Sequence, residues 1–135
     1  MRNYIRHSEL INAYIIEYSD AMKGYGGWGC GYVEIKKDHP VYKLAQIEYI
    51  GNEGSFYYQL PMIGEEITFC EFEDDVLILG FDTAHSYNTI ENSGKDMVVE
   101  ATLKMFDQCN VYYNEDVELA KEVKLNELKE LLNQI

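Results

Sequence analysis

Val76-Leu77-Ile78-Leu79-Gly80-Phe81-Asp82-Thr83-Ala84-His85-Ser86-Tyr87-Asn88-Thr89-Ile90-Glu91-Asn92 opens apolar and closes polar. The apolar part is too short for an ordinary helix and rich in branched side chains, so it reads as a strand buried on both faces. Gly80 permits close backbone approach. Past it, Phe81 offers an aromatic face, Asp82 a carboxylate, His85 an imidazole, Tyr87 a second ring, and Asn88 and Asn92 their amides. A strand end crowned in this way is where binding residues are positioned by a rigid scaffold.

Upstream, Leu10 to Ser19 carry enough β-branched and aromatic side chains for a strand. Lys23-Gly24-Tyr25-Gly26-Gly27-Trp28-Gly29-Cys30-Gly31 is the densest glycine cluster, and ordering so many glycines into regular structure is entropically costly. Two readings stand. The cluster is a loop laying backbone amides and the Tyr25 and Trp28 rings against a ligand, or a mobile turn whose Trp28 caps the core. It lacks the Lys-Ser/Thr ending of a phosphate loop.

Tyr32 to Lys37 alternates as a half-buried strand with Val33 and Ile35 inward, and Asp38-His39-Pro40 is expected to end it. Alternation through Ala45, Ile47 and Tyr49 predicts another strand over 44–50, then a hairpin-type loop at Gly51-Asn52-Glu53-Gly54. Ser55 to Met62 and Glu65 to Glu73 read as further strands, with Asp74-Asp75 turning the chain into the Val76 strand. From Gly94 the period becomes helical, with Val98, Val99, Thr102, Leu103 and Phe106 on one face and Ser93 with Asp96 as the expected cap. A second helix carries Leu125, Leu128, Leu132 and Ile135 at three-and-four spacing. That stripe either packs on its own domain or mates with a second copy. The fold class is therefore α+β: an antiparallel meander sheet over about 10–85 followed by two C-terminal helices, about 94–110 and 115–133, in one domain spanning 1–135.

A chain of 135 residues, 47% hydrophobic and 13% aromatic, can bury one core. Its 24 acidic residues against 11 basic ones give a formal charge of -13, which removes the footprint for nucleic-acid backbone or an anionic membrane surface. The acidity serves solubility, or it mimics nucleic acid toward a basic protein groove. Cys30, Cys70 and Cys109 are widely spaced and odd in number, as expected of small hydrophobes in a reducing compartment. Neither a signal-peptide core nor a long apolar run is present, so a soluble, cytoplasmic protein is expected.

His39, Asp82 and His85 have no metal-ligand spacing, and no nucleophile is placed beside an acid–base pair; no metal, no cofactor and no catalysis are expected. A nucleotide-like small molecule fits the inventory better. Tyr25, Trp28, Phe81 and Tyr87 could stack on a purine, while Asp82, Asn88 and Asn92 bond ribose or base edges. The glycine-loop amides or Lys23, Lys36 and Lys37 would then neutralise phosphate. The same aromatics also suit an ordinary core.

Gly31-Tyr32-Val33 with Ile35, His39-Pro40 with Tyr42, Ile67-Thr68-Phe69 and Gly80-Phe81-Asp82-Thr83-Ala84-His85 together resemble, in order, a small protein family of phages and prophages. Its members read Gly-Tyr-Val, His-Pro-Leu-Tyr, His-Gly-Gly-Leu-Thr-Phe and Gly-Phe-Asp-x-Ala-His. The likeness covers roughly residues 29–92. It extends to the first class of phage anti-Thoeris sponges, which sequester cyclic ADP-ribose isomers, and in some cases cyclic oligonucleotides, without destroying them, and which form dimers and hexamers. The resemblance implies that Phe81 stacks on adenine and that Asn88 or Asn92 supplies polar contacts. It also implies a homo-oligomer in the cytoplasm of an infected bacterium, contacting no nucleic acid or membrane. Gly64-Glu65-Glu66 stands where the family has His-Gly-Gly, and Asn88 where an acid follows Ala-His. The alternative expectation is an acidic inhibitor that binds a bacterial defence or nucleic-acid-binding protein.

Overall fold

The computed structural model describes residues 3–49 and 67–135. The expected hairpin loop at 51–54, the expected strand at 55–62 and the start of the one at 65–73 lie outside the described residues. The chain runs β1 (Tyr4–His7), β2 (Ile11–Glu17), α1 (Asp20–Lys23), β3 (Gly29–Lys36), α2 (Pro40–Tyr49), β4 (Phe69–Glu73), β5 (Val76–Phe81), α3 (Lys95–Cys109) and α4 (Asn114–Asn133). Five strands form one antiparallel sheet in the order β1-β2-β3-β5-β4, followed by the two C-terminal helices. The first three strands succeed one another as neighbours. β5 then enters beside β3, with β4 folded back on its outer edge through the Asp74-Asp75 turn, where Asp74 adopts a left-handed φ of 54°.

Because β5 lies between two strands, its backbone is paired on both sides and its side chains are buried on both faces. Leu77, Leu79 and Phe81 point to the helix-covered side, opposite Ile35, Val33 and Gly31 of β3. Ile11, Ala13, Val98, Met105 and Phe106 complete that core. On the other face, one register line carries Tyr4, Tyr14, Tyr32, Gly80 and Phe69 across all five strands. Tyr14 and Tyr32 stack at 5.2 Å, and Phe69 meets Tyr32 edge-on at 5.9 Å. Gly80 is what makes room: a Cβ there would sit 2.4 Å from the Tyr32 ring.

The expected strand over 44–50 is a helix instead. Pro40 stands at the first helical position, where its fixed φ suits a helix and its missing N–H is not needed. The preceding His39 accepts the Val41 N–H through Nδ1 at 3.1 Å, and Val41, Leu44 and Ala45 bury one helical face. The alternating residues 45, 47 and 49 were one subset of a broader apolar stripe. The expected cap at Ser93 also fails: Gly94 is the N-cap of α3, without a side-chain bond, and Ser93 works inside the preceding loop. Among the described residues no helix is long and apolar enough to cross a membrane.

Candidate functional site

Thr83, which follows the central strand, joins the two segments of interest. Its carbonyl accepts the Gly27 N–H at 2.7 Å, and its hydroxyl donates to the Gly29 carbonyl at 2.7 Å while accepting the Gly29 N–H at 3.3 Å. Its own N–H donates to the Tyr18 hydroxyl at 3.2 Å. One loop turn later, the Ser93 carbonyl accepts the Trp28 N–H at 2.8 Å. The Gly24–Trp28 loop is thus clamped, backbone to backbone, against the Asp82–Ser93 loop. The glycines follow from this contact. A Cβ on Gly26 would lie 2.6 Å from the Thr83 carbonyl oxygen, and one on Gly27 2.5 Å from the Thr83 hydroxyl. Gly26 and Gly27 thus admit the neighbouring chain, and the Gly27 amide is taken by the Thr83 carbonyl rather than left to bind an anion.

The amides predicted to meet a ligand brace the second loop. Asn88 is buried; its Oδ1 accepts the His85 N–H at 3.0 Å and lies 2.9 Å from His85 Nδ1, and its Nδ2 donates to Ser93 Oγ at 2.9 Å. Asn92 Oδ1 accepts the Thr89 N–H at 2.8 Å and the Ser93 hydroxyl at 2.7 Å, while its Nδ2 donates to the Tyr87 carbonyl at 3.0 Å. Asp82 caps the turn by accepting the Ala84 N–H at 3.0 Å and the Thr68 hydroxyl at 3.2 Å.

Phe81 is corrected most sharply. It is 1% exposed, and a Cβ on Gly31 would fall 2.6 Å from its ring. It shares strand parity with Leu77 and Leu79, so alternation sends it into the core, where it cannot stack on a ligand. Trp28 is half-buried on the core edge, with Lys95 Nζ 5.8 Å from its ring centre. The rings that do face outward are Tyr25, 86% exposed, and Tyr87, 59% exposed and parallel to His85 at 5.0 Å and 2°. Tyr25 and His85 each adjoin one of two contacting positions, Gly26 and Ala84, which sets them at the same end of the sheet. His85 Nδ1 is 3.8 Å from Asp82 Oδ1.

The expected cations are elsewhere or engaged. Lys23 is paired with Glu17 and lies 3.9 Å from Asp20. Lys36 is registered opposite Val76, at the far end of β5 from Phe81, roughly 17 Å away at 3.3 Å per residue. Lys37 lies 3.9 Å from Asp75 near that same far end. No group of His, Cys, Asp or Glu suited to hold a metal occurs among the described residues. The cysteines are free, and burial pushes the Cys109 thiol up to about 12 and, mainly, the Cys70 thiol up to about 11, so neither is a ready nucleophile.

Tyr18 is the structural member of this end that sequence reasoning did not single out; Ser93 was expected only as a helix cap, and Thr83 was noted only as part of a motif. Burial raises the Tyr18 hydroxyl well above the usual tyrosine range, its bond with Cys30 adding to the effect, so it stays neutral, its oxygen accepting from the Cys30 thiol and the Thr83 N–H. A hollow of about 420 Å³ lies on α4, lined by Asn114, Glu115, Glu118, Leu119 and Glu122. Three carboxylates make it a poor place for a phosphate. No family model, no curated protein and no solved structure matches the chain.

Proposed function

We propose that the chain is a non-catalytic binding protein for a nucleotide-like small molecule, gripped at the end of the sheet where the two clamped loops meet. The observation that carries this reading is the parallel His85–Tyr87 pair, an aromatic surface standing outward on a loop whose Asn88 and Asn92 side-chain amides are engaged in holding its shape. A base laid on such a surface gains on the order of 1–3 kcal/mol from stacking. The loop is braced beforehand, so little ordering entropy opposes binding. Tyr25 supplies a second exposed ring, and the Asp82 carboxylate stands beside the pair as a hydrogen-bonding group. Phe81 takes the part of a support beneath the loop.

The likeness to phage anti-defence sponges makes a cyclic ADP-ribose isomer or a cyclic oligonucleotide the first ligand class to try, held in the cytoplasm of an infected bacterium. The reading asks for no bond to be made or broken. A thermal-shift screen with these nucleotides tests it, since a ligand that binds the folded state raises its apparent stability. The expected result is a rise with one member of the panel and recovery of that member unchanged after the complex is heated. Absence of any shift, or a chemically altered nucleotide, would contradict the proposal.

A second reading has its own observation. Glu71, Glu73, Asp74 and Asp75 crowd the exposed β4–β5 hairpin, opposed by Lys37 alone among the described ion pairs there. That surface suits a basic groove on a defence or nucleic-acid-binding protein. Salt-sensitive capture of such a partner, lost when Glu71 and Glu73 become Gln, would favour it.

A further inference from the structure

The loop end of the sheet gathers carboxylates as well as rings. Asp82 and Glu91 lie on the second loop, Glu17 and Asp20 precede the first, and a phosphate brought there is repelled unless a cation answers it. Lys23 is spent on Glu17 and Asp20, while Lys36 and Lys37 stand at the far end. The structure offers a different cation. Lys95, the first residue of α3, is exposed, and among the described residues it forms no ion pair. Asp96 beside it points elsewhere, because consecutive helical residues do not face each other.

The Lys95 ammonium instead lies 5.8 Å from the centre of the Trp28 ring. Trp28 belongs to the clamp: its N–H donates to the Ser93 carbonyl at 2.8 Å, and Asn92, next to Ser93, donates to the Tyr87 carbonyl at 3.0 Å. Short links therefore tie this charge to the loop that presents the His85–Tyr87 rings. A ring face holds an exposed ammonium weakly and does not neutralise it, so the charge stays available to an anion. We propose that Lys95, resting over Trp28, receives the phosphate of the nucleotide whose base lies on His85 and Tyr87, and so sets a preference for a phosphorylated ligand over the bare nucleoside. This assignment rests on the nucleotide reading and supplies the cation that reading lacked.

Trp28 is the single tryptophan of the chain, so its fluorescence reports on the ammonium beside it. The test titrates ADP, cyclic ADP-ribose and adenosine into the native chain, Lys95→Gln and Lys95→Arg, following Trp28 emission and calorimetric heat. The first two ligands carry a pyrophosphate and the third none. At least one pyrophosphate ligand is expected to bind the native chain more tightly than adenosine does, and to bind Lys95→Gln about tenfold more weakly, with Lys95→Arg keeping most of the affinity. The gap between the native chain and Lys95→Gln is expected to shrink as salt rises, because screening weakens the one attraction in which they differ. Adenosine is expected to distinguish none of the three proteins, and circular dichroism to be the same in all of them, since Lys95 faces solvent. Equal affinity of native chain and Lys95→Gln for the pyrophosphate ligands, or a loss for adenosine as large as that for ADP, overturns the role of the lysine and leaves the nucleotide reading standing. A saturable response to no ligand, adenosine included, overturns both together.

Discussion

Thr83 and Phe81 leave the same strand on the same side and serve different ends. Thr83 is fully buried and spends its carbonyl, its N–H and its hydroxyl on the glycine loop and Tyr18. Thr83→Val keeps the shape and removes the hydroxyl, leaving the Gly29 carbonyl buried without that donor. A loss of about 1–3 kcal/mol is expected in urea unfolding. Phe81→Ala empties a core position and is expected to cost about 3–5 kcal/mol in the same measurement. Tyr87→Ala, at an exposed ring, should shift stability by no more than about 0.5 kcal/mol. A large loss of stability in Tyr87→Ala would mean the ring is structural. Phe81 was legible as core from its parity with Leu77 and Leu79, and reading it as a ligand ring set aside the alternation that identified the strand. Asn88 and Asn92 were not legible in this way, because an amide that bonds its own loop and one that bonds a ligand have the same side chain.

His39 links two helices. Its Nδ1 accepts from the first turn of α2, so Nε2 carries the proton and donates to Asn110 Oδ1 at 3.0 Å near the end of α3. Burial lowers its pKa below the ordinary 6.5, against the smaller raising effect of Asn110. The unfolded chain therefore takes up this proton first. Stability is unaffected by His39 well above 6.5 and falls as pH drops through that value toward the folded pKa. Urea midpoints from neutral pH downward should show this slope in the native chain and a shallower one in His39→Gln. Equal slopes would remove His39 from the account.

At the scale of elements, the mistaken strand at 44–50 shows how short apolar runs mislead. Ala45, Ile47 and Tyr49 satisfy a period of two, but Val41, Leu44 and Ala45 satisfy a helical period over the same stretch. Pro40, read as a stop, is a start once His39 is seen to cap it. The start of α4 is fixed more plainly, with the Asp116 carboxylate accepting the Tyr113 N–H at 2.7 Å. Asp116→Ala removes both this bond and a negative charge at the helix N-terminus, and is expected to cost about 1 kcal/mol. Hydrogen exchange at the amides of the first turn of α4 should quicken while that of β3 and β5 stays slow. Unchanged protection in that turn would show that packing of Val117 alone sets the helix start. The leucine stripe of α4 was visible in sequence; what it packs against was not, since three-and-four spacing describes a face without naming its partner.

Across the whole molecule, two ends of one sheet carry different chemistry. One end gathers the clamped loops with Tyr25 and the His85–Tyr87 pair; the other gathers the acidic β4–β5 hairpin with Lys36 and Lys37, two of the three lysines once expected to meet phosphate. An antiparallel sheet with two closing helices followed from periodicity, because burial on both faces of Val76–Phe81 demands strands on either side and a helix layer above. The position of the exposed rings did not follow, because it depends on which loop residues are consumed in bracing. Calorimetric titration of cyclic ADP-ribose isomers and cyclic oligonucleotides into the native chain and into Tyr87→Ala is the most direct test of the binding surface. Saturable heat with one nucleotide, recovered intact, and at least tenfold weaker binding in the equally stable variant, about 1.4 kcal/mol, is the expected result. No heat with any of them, or equal affinity in the two proteins, would contradict it.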